Sequence, residues 1–160
     1  MEVKELGHLV LYVRNVDRSA AFYRDALGWR QITGPGAPGA GERTGGFPAA
    51  AFSAPNGRTH HELLLIEVGE GAQGLPQGRH IGLYHFGIKV GDTDDELRAA
   101  VTHLQEHDVR FVGASDHTVT HSLYILDPDG NEIEVYVDVP DVDWRSDPTL
   151  FAAPARPLSL

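Results

Sequence analysis

The feature that most constrains this chain is an internal repeat of one eight-residue segment. LGHLVLYV at 6–13 and LYHFGIKV at 83–90 align without a gap, which places His8 on His85 and Val13 on Val90. Each segment precedes a helix-like stretch and then three strand-like runs. The order β-α-β-β-β therefore occurs twice, and such a repeat predicts two copies of one structural unit.

Local signals mark both helices of the repeat. The first stretch, VDRSAAFYRDALG, has Asp17 as a predicted N-cap and Gly28 as its C-terminal stop. In the second, Thr93 and Glu96 have the spacing of a capping box, and the apolar stripe that follows runs to about His107. We therefore predict one helix after the first strand of each copy.

Segments rich in glycine and proline separate these regular stretches. We predict one domain over residues 1–138, built of modules at about 5–67 and 82–138 that are joined by a linker at 68–80. The segment GPGAPGAGERTGG at 34–46 is predicted to be a mobile loop within the first module, suited to act as a lid. Residues 139–160 are predicted to form an ordered but irregular tail, anchored by aromatic and apolar side chains.

Composition limits the classes of function that remain. The 160 residues contain no cysteine, so any metal must be held by His, Asp or Glu, and nine histidines are available. A formal charge of -10 argues against nucleic acid as a partner and favours small molecules. The start of the sequence resembles no secretory signal, and no apolar run is long enough for a membrane span. We therefore predict a cytoplasmic protein without a membrane partner.

Strand alternation places three possible metal ligands on one face of the predicted sheet. Side chains at i and i+2 share a face, so His8 and His85 each lie opposite an apolar set. In the last strand the apolar set likewise opposes Glu132 and Glu134. Two histidines and one carboxylate are a ligand set for non-haem Fe(II), which Mn or Zn can also use. Alternation alone does not distinguish between the two glutamates.

At this level of detail the sequence resembles the vicinal oxygen chelate superfamily, over residues 5–138. FYRDALGW at 22–29 is similar to the end of the family's first helix, and DPDGNEIEVY at 127–136 to its final turn and strand. The resemblance implies an α+β fold of paired βαβββ modules, in which a curved mixed sheet forms a half-open barrel around a metal site with helices on its outer face. It also implies that the carboxylate ligand is Glu134, four residues after Gly130, with Glu132 left solvated.

The last motif is also similar to the signature of type I extradiol catechol dioxygenases. His117 is followed by five residues, then Leu123-Tyr124, two residues, Asp-Pro-Asp-Gly and Glu134, with Ser115 as one departure from the usual pattern. The resemblance implies that His117 and Tyr124 hydrogen-bond the substrate. It further implies that His61, in the pair His60-His61, acts as acid and base. If Glu62 faced the cavity instead, the site would resemble glyoxalase I.

The resemblance implies an Fe(II)-dependent enzyme that opens a catechol ring with O₂, as in aromatic hydrocarbon catabolism. Mn, Zn or Ni are alternative metals, and the assembly is expected to be a homo-oligomer. Two other classes stay open: a glyoxalase-like or epimerase-like metalloenzyme using Zn, Ni or Co, and a drug-binding resistance protein without chemistry. The remaining histidines are predicted to lie outside the site; they include His80, His103, His107 and His121.

Overall fold

A computed structural model describes residues 1–38, 43–44 and 46–160 of the chain. The chain forms two compact units, residues 1–74 and 75–160, and their boundary falls within the predicted linker. Of the predicted mobile loop at 34–46, residues 39–42 and 45 lie outside the described residues. Each unit corresponds to one copy of the sequence repeat.

The first unit contains a mixed sheet and one helical segment. Its elements are β1 (Leu9–Val13), α1 (Val16–Ala21), a π-helical turn (Phe22–Ala26), β2 (Arg30–Thr33), β3 (Arg43–Thr44), β4 (Phe47–Ser53) and β5 (Leu63–Glu67). The strand order is β1-β5-β4-β2, and β3 pairs with β4. Strands β1 and β5 are parallel, whereas β4 is antiparallel to both of its neighbours β5 and β2.

The N-cap of helix α1 lies two residues before the predicted position. Its N-cap is Asn15, whose Oδ1 accepts a hydrogen bond from the backbone nitrogen of Arg18 at 2.8 Å, so the assignment of Asp17 as N-cap was wrong. Asp17 instead lies in the first turn, where its negative charge is favourable to the helix dipole. Gly28 follows the helical segment with φ 69°, a left-handed conformation in which glycine is unstrained.

The second unit repeats this architecture. Its elements are β6 (His85–Gly91), α2 (Asp94–Glu106), β7 (Arg110–Asp116), β8 (Thr120–Leu126), β9 (Glu132–Asp138), a 3₁₀ helix (Pro148–Ala152) and β10 (Arg156–Pro157). The strand order is β10-β7-β8-β9-β6, with β6 parallel to β9. Thr93 caps α2 and hydrogen-bonds Glu96, as the capping box predicted.

Each helix packs on one face of the sheet in its own unit. Helix α1 contacts β4 and β5, and α2 contacts β6 and β9. In β1, β5, β8 and β9 the buried apolar side chains alternate, as the period-2 pattern predicted, whereas β4 is buried continuously from Ala49 to Ser53. The alternating set is Leu11, Val13, Leu63, Leu65, Leu123, Ile125, Ile133, Val135 and Val137. In the second unit the opposite face of the sheet carries His85, Tyr124, Glu132 and Glu134, which were singled out from the sequence.

The α+β class and the paired βαβββ modules are confirmed. The strands are hydrogen-bonded in two mixed sheets, one in each unit, where the sequence resemblance implied one curved sheet. The tail is less irregular than predicted, because it contains a 3₁₀ helix and because β10 extends the second sheet by pairing with Ser115 and Asp116 of β7. Over the described residues, no helix is both long enough and apolar enough to cross a bilayer.

Candidate functional site

Three neighbouring strands of the second unit bring the C-terminal signature residues together. In the register of the sheet, Gly87 of β6 and Tyr124 of β8 both lie opposite Glu134 of β9. His85, the first residue of β6, pairs with Glu132, two residues before Glu134 and on the same face. The parity argument therefore placed His85, Glu132 and Glu134 correctly on one face.

A chain of polar contacts runs through Tyr124. Its phenol oxygen donates to Oε1 of Glu134 at 3.4 Å and lies 2.7 Å from Nε2 of His117. A phenol has one proton to donate, so the tautomer of His117 that fits this chain carries its proton on Nε2 and donates to the Tyr124 oxygen. His85 lies beside the same pair, with its ring centroid 5.5 Å from that of Tyr124.

The environment of Tyr124 keeps its phenol protonated. Burial of the ring, together with the nearby Glu134 carboxylate, raises the pKa of Tyr124 to about 12. Both causes disfavour the phenolate, since a low dielectric and a like charge each oppose a new negative charge. Tyr124 is therefore a neutral hydrogen-bonding group throughout the neutral pH range.

The turn that carries His117 is strained. Thr118 has φ 71°, a left-handed conformation that costs a β-branched residue roughly 1–3 kcal/mol. Its backbone nitrogen donates to Oδ1 of Asp116 at 2.6 Å, and the backbone nitrogen of His117 donates to the carbonyl of Thr120 at 2.9 Å. These bonds hold the turn in a shape that directs His117 toward Tyr124, and backbone strain of this kind clusters at active sites and ligand-binding sites.

Glu132 is not the free, solvated residue that the sequence suggested. Its Oε1 lies 3.4 Å from Nδ1 of His85, and its side chain is only 22% exposed. The negative charge of Glu132, followed by burial, also raises the pKa of the Tyr84 phenol. The expectation of a solvated Glu132 failed because β6 and β9 are paired in parallel, which sets Glu132 directly beside His85.

The geometry around His85 and Glu134 fits two ligands of one metal ion. Nε2 of His85 lies 3.4 Å from Oε2 of Glu134. Two donor atoms that are each about 2.1 Å from an ion lie about 3.0 to 3.4 Å apart for angles between about 90° and 109°. The other nitrogen, Nδ1, is buried without a hydrogen bond to any described group, and Glu132 is placed to orient it.

The N-terminal candidates gather in the first unit. His8 immediately precedes β1, and the ring centroid of His61 lies 4.7 Å from that of His8. The neighbouring His60 has its Nδ1 2.5 Å from Nδ1 of His61. Burial, followed by the charges of His60 and His8, lowers the pKa of His61. The predicted acid-base residue therefore lies beside one predicted ligand and has a bias toward the neutral imidazole.

The carboxylate of Glu62 accepts hydrogen bonds from the neighbouring backbone. Strand β5 begins at Leu63 rather than at His60, so strand parity does not govern the pair His60-His61 or Glu62. Oε2 of Glu62 accepts a hydrogen bond from the backbone nitrogen of Ala54 at 2.6 Å, and Oε1 accepts one from Arg58 at 3.4 Å. Glu62 thus stabilises the connection between β4 and β5, while His61 is the member that lies next to His8.

The metal ligands predicted from the sequence come from both units. His8 belongs to the first unit, and His85 and Glu134 belong to the second. Taken singly and over its described residues, neither unit contains a group of three His, Asp or Glu side chains that could hold a metal ion. The three-ligand set therefore stays a prediction, of which the second unit supplies a matched pair.

Two clefts in the second unit are lined by His85, His117 and Tyr124. The larger, about 630 Å³, is lined by His85, His117, Tyr124 and Glu134 and also by Trp144 and Phe151 of the tail. We call it the tail cleft. The smaller, about 450 Å³, lies beside Glu132 and Tyr84. The sequence suggested Trp144 and Phe151 only as anchors of the tail, and their nearness to β9 along the chain was the one signal for a place in the site.

His121 lies away from the tail cleft, as strand parity predicted. Its Nδ1 is 2.6 Å from Oδ1 of Asp94 in the first turn of α2. His121 and Tyr124 are three positions apart in β8. Residues an odd number of positions apart on a strand point to opposite faces of the sheet, so His121 points away from the face of Tyr124. His121 is not among the described residues that line the tail cleft.

Comparisons with known proteins agree with this architecture. A family model described as the Glyoxalase/Bleomycin resistance protein/Dioxygenase superfamily matches residues 5–135. A protein named catechol-2,3-dioxygenase from Bacillus subtilis (strain 168) is 34% identical over 146 residues, which are 91% of this chain and 46% of that protein. The chain thus spans about half the length of this relative.

Two solved structures share the fold. A glyoxylase/bleomycin resistance protein/dioxygenase domain from Frankia sp. EAN1pec aligns with a TM-score of 0.67 at 21% identity, covering 86% of this chain and 99% of the other. A fosfomycin resistance protein from Listeria monocytogenes aligns with a TM-score of 0.61 at 13% identity, covering 88% of this chain and 98% of the other. At these identities the likeness concerns the fold alone.

Proposed function

Because this chain belongs to the Glyoxalase/Bleomycin resistance protein/Dioxygenase superfamily, we propose that it is an Fe(II)-dependent extradiol dioxygenase that opens a catechol ring with O₂. The observation that carries the proposal is the contact chain from His117 through Tyr124 to Glu134. It joins the residues of the extradiol signature in space. The 34% identical relative named catechol-2,3-dioxygenase supports the same reaction class.

We propose His8, His85 and Glu134 as the metal ligands. Two neutral imidazoles and one carboxylate leave a divalent ion with a single positive charge, which a catecholate monoanion neutralises. A ferrous ion held by these residues would supply Lewis acidity and a redox-active centre for O₂. The 3.4 Å between the donor atoms of His85 and Glu134 supports a shared ion.

We propose that three further side chains handle protons and position the substrate. Tyr124 stays protonated at neutral pH and so offers a neutral hydrogen bond to a substrate oxygen or to an oxygen derived from O₂. His117 fixes the orientation of that phenol through its 2.7 Å contact. His61, whose pKa is lowered mainly by burial, is suited to accept a proton from the catechol and to return it later.

The contacts of Glu62 weigh against the glyoxalase-like alternative. That reading needs Glu62 as a further carboxylate ligand, but both of its oxygens accept hydrogen bonds from the backbone of the β4–β5 connection. A non-catalytic drug-binding protein has no need for a metal-ligand pair such as His85 and Glu134. Homo-oligomeric assembly, a role in aromatic catabolism and a cytoplasmic location stay predictions that accompany the proposal.

Oxygen uptake tests the proposed reaction. The protein is loaded anaerobically with Fe(II), then mixed with air-saturated buffer and a panel of substituted catechols. We expect consumption of O₂ and the strong visible absorbance of a conjugated ring-opened product that contains both oxygen atoms. Protein loaded with Zn(II) should give neither, because zinc is redox-inert. The proposal fails if no catechol consumes O₂ while a Zn or Ni form isomerises a thiohemiacetal.

A further inference from the structure

We propose that Trp144 and Phe151 form an aromatic wall of the tail cleft that selects an uncharged catechol with an apolar substituent over a catechol that carries a carboxylate. The inference rests on the proposed function, because it takes the tail cleft as the place where a catechol binds. It assigns a specificity role to the C-terminal segment, beyond the metal ligands and signature residues.

The wall consists of two aromatic rings that the tail brings together. The centroids of Trp144 and Phe151 lie 6.1 Å apart with an interplanar angle of 74°, the edge-to-face geometry that aromatic pairs favour. Both line the tail cleft together with His85 and Glu134. Phe151 is 65% exposed, so much of its apolar surface is open to a ligand. Covering that surface with an apolar group is favourable.

Hydrogen bonds hold the wall in place on either side of Phe151. Asp147 caps the 3₁₀ helix through its Oδ1, which accepts from the backbone nitrogen of Thr149 at 3.0 Å. Beyond the helix, β10 pairs with the edge of β7 at Ser115 and Asp116, the residues just before His117. The tail is thus attached to the strand that leads into the signature turn, which fixes the wall relative to that turn.

The charge of the cleft disfavours an anionic substituent. Its lining includes the carboxylates of Glu134 and Asp138, and no described residue that lines it is a lysine or an arginine. Lys89 contacts the cleft-lining Asp138 at 2.7 Å and also pairs with Asp92. Among the described lining residues, a carboxylate on the substrate would therefore meet two like charges and no lysine or arginine, which is unfavourable in a partly enclosed site.

Arg145 is not among the described residues that line the tail cleft. Its guanidinium carbon lies 4.1 Å from the ring centroid of Trp144, a cation–π contact that places it on the wall rather than among the cleft-lining residues.

The cleft is longer than one aromatic ring. Along β9, Glu134, Tyr136 and Asp138 face it over four residue steps, or about 13 Å. That length leaves room beyond one ring bound at Glu134 for an apolar group.

Fluorescence of Trp144 tests the wall without turnover. The chain has two tryptophans, so Trp29→Phe in the 160-residue chain leaves Trp144 as the reporter. The metal-free and Zn(II)-loaded forms are titrated anaerobically with 2,3-dihydroxybiphenyl, catechol and 3,4-dihydroxybenzoate. We expect the phenyl-bearing probe to change Trp144 emission and to bind most tightly, and the carboxylate probe to bind most weakly.

Substitutions at equally exposed phenylalanines supply the control. Phe151→Leu should weaken binding of 2,3-dihydroxybiphenyl by about 5- to 20-fold and that of catechol by less than about two-fold. Phe47, 63% exposed and located in the first unit, is the match, and Phe47→Leu should change neither. Phe151→Tyr keeps the ring and should restore tight binding of the phenyl probe.

Two results would overturn the wall: equal effects of Phe151→Leu and Phe47→Leu on the phenyl probe, or tightest binding of the carboxylate probe. The outcome is separable from that of the proposed reaction. If ring selectivity is present but the Fe(II) form consumes no O₂, the wall stands and the reaction is wrong. If O₂ is consumed without ring selectivity, the reaction stands and the wall is wrong.

Discussion

The Tyr124 phenol oxygen and Nε2 of His117 lie 2.7 Å apart, across the strained turn between β7 and β8. The contact is between residues seven positions apart in sequence, because Tyr124 lies in β8 and His117 in the turn that precedes it. Since the phenol donates to Glu134, the imidazole is the donor to the phenol oxygen. The Nε2 proton of His117 therefore has a defined position, pointing at the phenol that contacts the predicted metal ligand Glu134.

The first prediction concerns the titration of this phenol. In the metal-free protein, Tyr124 should ionise at a pKa of about 12, whereas in the unfolded chain it should ionise near the ordinary value of about 10. The folded state then binds the proton more tightly, so this group stabilises the fold below about pH 10, and its contribution is lost as the pH rises toward 12. Absorbance at 295 nm measures the phenolate directly.

The Tyr124→Phe variant isolates that signal. Subtracting its titration curve from that of the unsubstituted protein should leave one late-ionising phenol, and the same subtraction in guanidinium should leave an ordinary one. A difference curve with its midpoint near pH 10 in the folded protein would contradict the environment described for Tyr124.

The second prediction distinguishes the two glutamates of β9. Glu134→Gln should abolish tight Fe(II) binding, because a neutral amide is a poor partner for a divalent cation. Glu132→Gln should retain most of the iron, since Glu132 lies beside Nδ1 of His85, whereas Nε2 of His85 faces Glu134. Iron is measured after anaerobic loading and desalting. Equal iron content in the two variants would remove Glu134 as the ligand.

The third prediction distinguishes a ligand from an acid-base residue. His61→Asn should leave iron content near normal and slow turnover by about 10² to 10⁴-fold, the usual effect of losing a general acid or base. His60→Asn is the matched control, because its ring lies farther from His8, at 6.4 Å against 4.7 Å. Loss of iron together with activity in His61→Asn would show that His61 has a ligand or structural role.

The fourth prediction concerns two glycines next to Tyr136 and Tyr124. A Cβ on Gly87 would lie 3.2 Å from the Tyr136 ring and 3.6 Å from Oε2 of Glu134, whereas one on Gly113 would make an ordinary 3.5 Å contact with Tyr124. Gly87→Ala should therefore weaken Fe(II) and catechol binding, and Gly113→Ala should change both much less. Calorimetric titration of the two variants makes the comparison, and similar affinities would contradict it.

Period-2 alternation predicted the faces of the strands because it depends only on neighbouring residues. It placed His85, Glu132 and Glu134 on one face, and the structure has the same arrangement. Alternation did not distinguish the glutamates, since that choice depends on the register of β9 against β6. Strand alternation also could not predict the direction of the His117 side chain, because a turn has no fixed alternation.

Long-range contacts account for the remaining differences. Glu62 and His61 precede β5 rather than lying in it, and the partners of Glu62 come from a separate stretch of the β4–β5 connection. In the tail, β10 forms by pairing with backbone groups at the edge of β7. A segment of two residues carries no strand pattern of its own, so this pairing could not be predicted from the sequence. These features required the assembled sheet.

The parallel pairing of β1 with β5 and of β6 with β9 joins the first and last strands of each module. Each of these contacts spans roughly 50 residues of chain, so each sheet is completed only after a long loop has closed. During synthesis, β6 must therefore wait for β9 before its edge is paired. His85 and Glu134 lie on those two strands, so their approach coincides with the final closure of the module, and capture of a metal ion by this pair would report that the C-terminal half has finished folding.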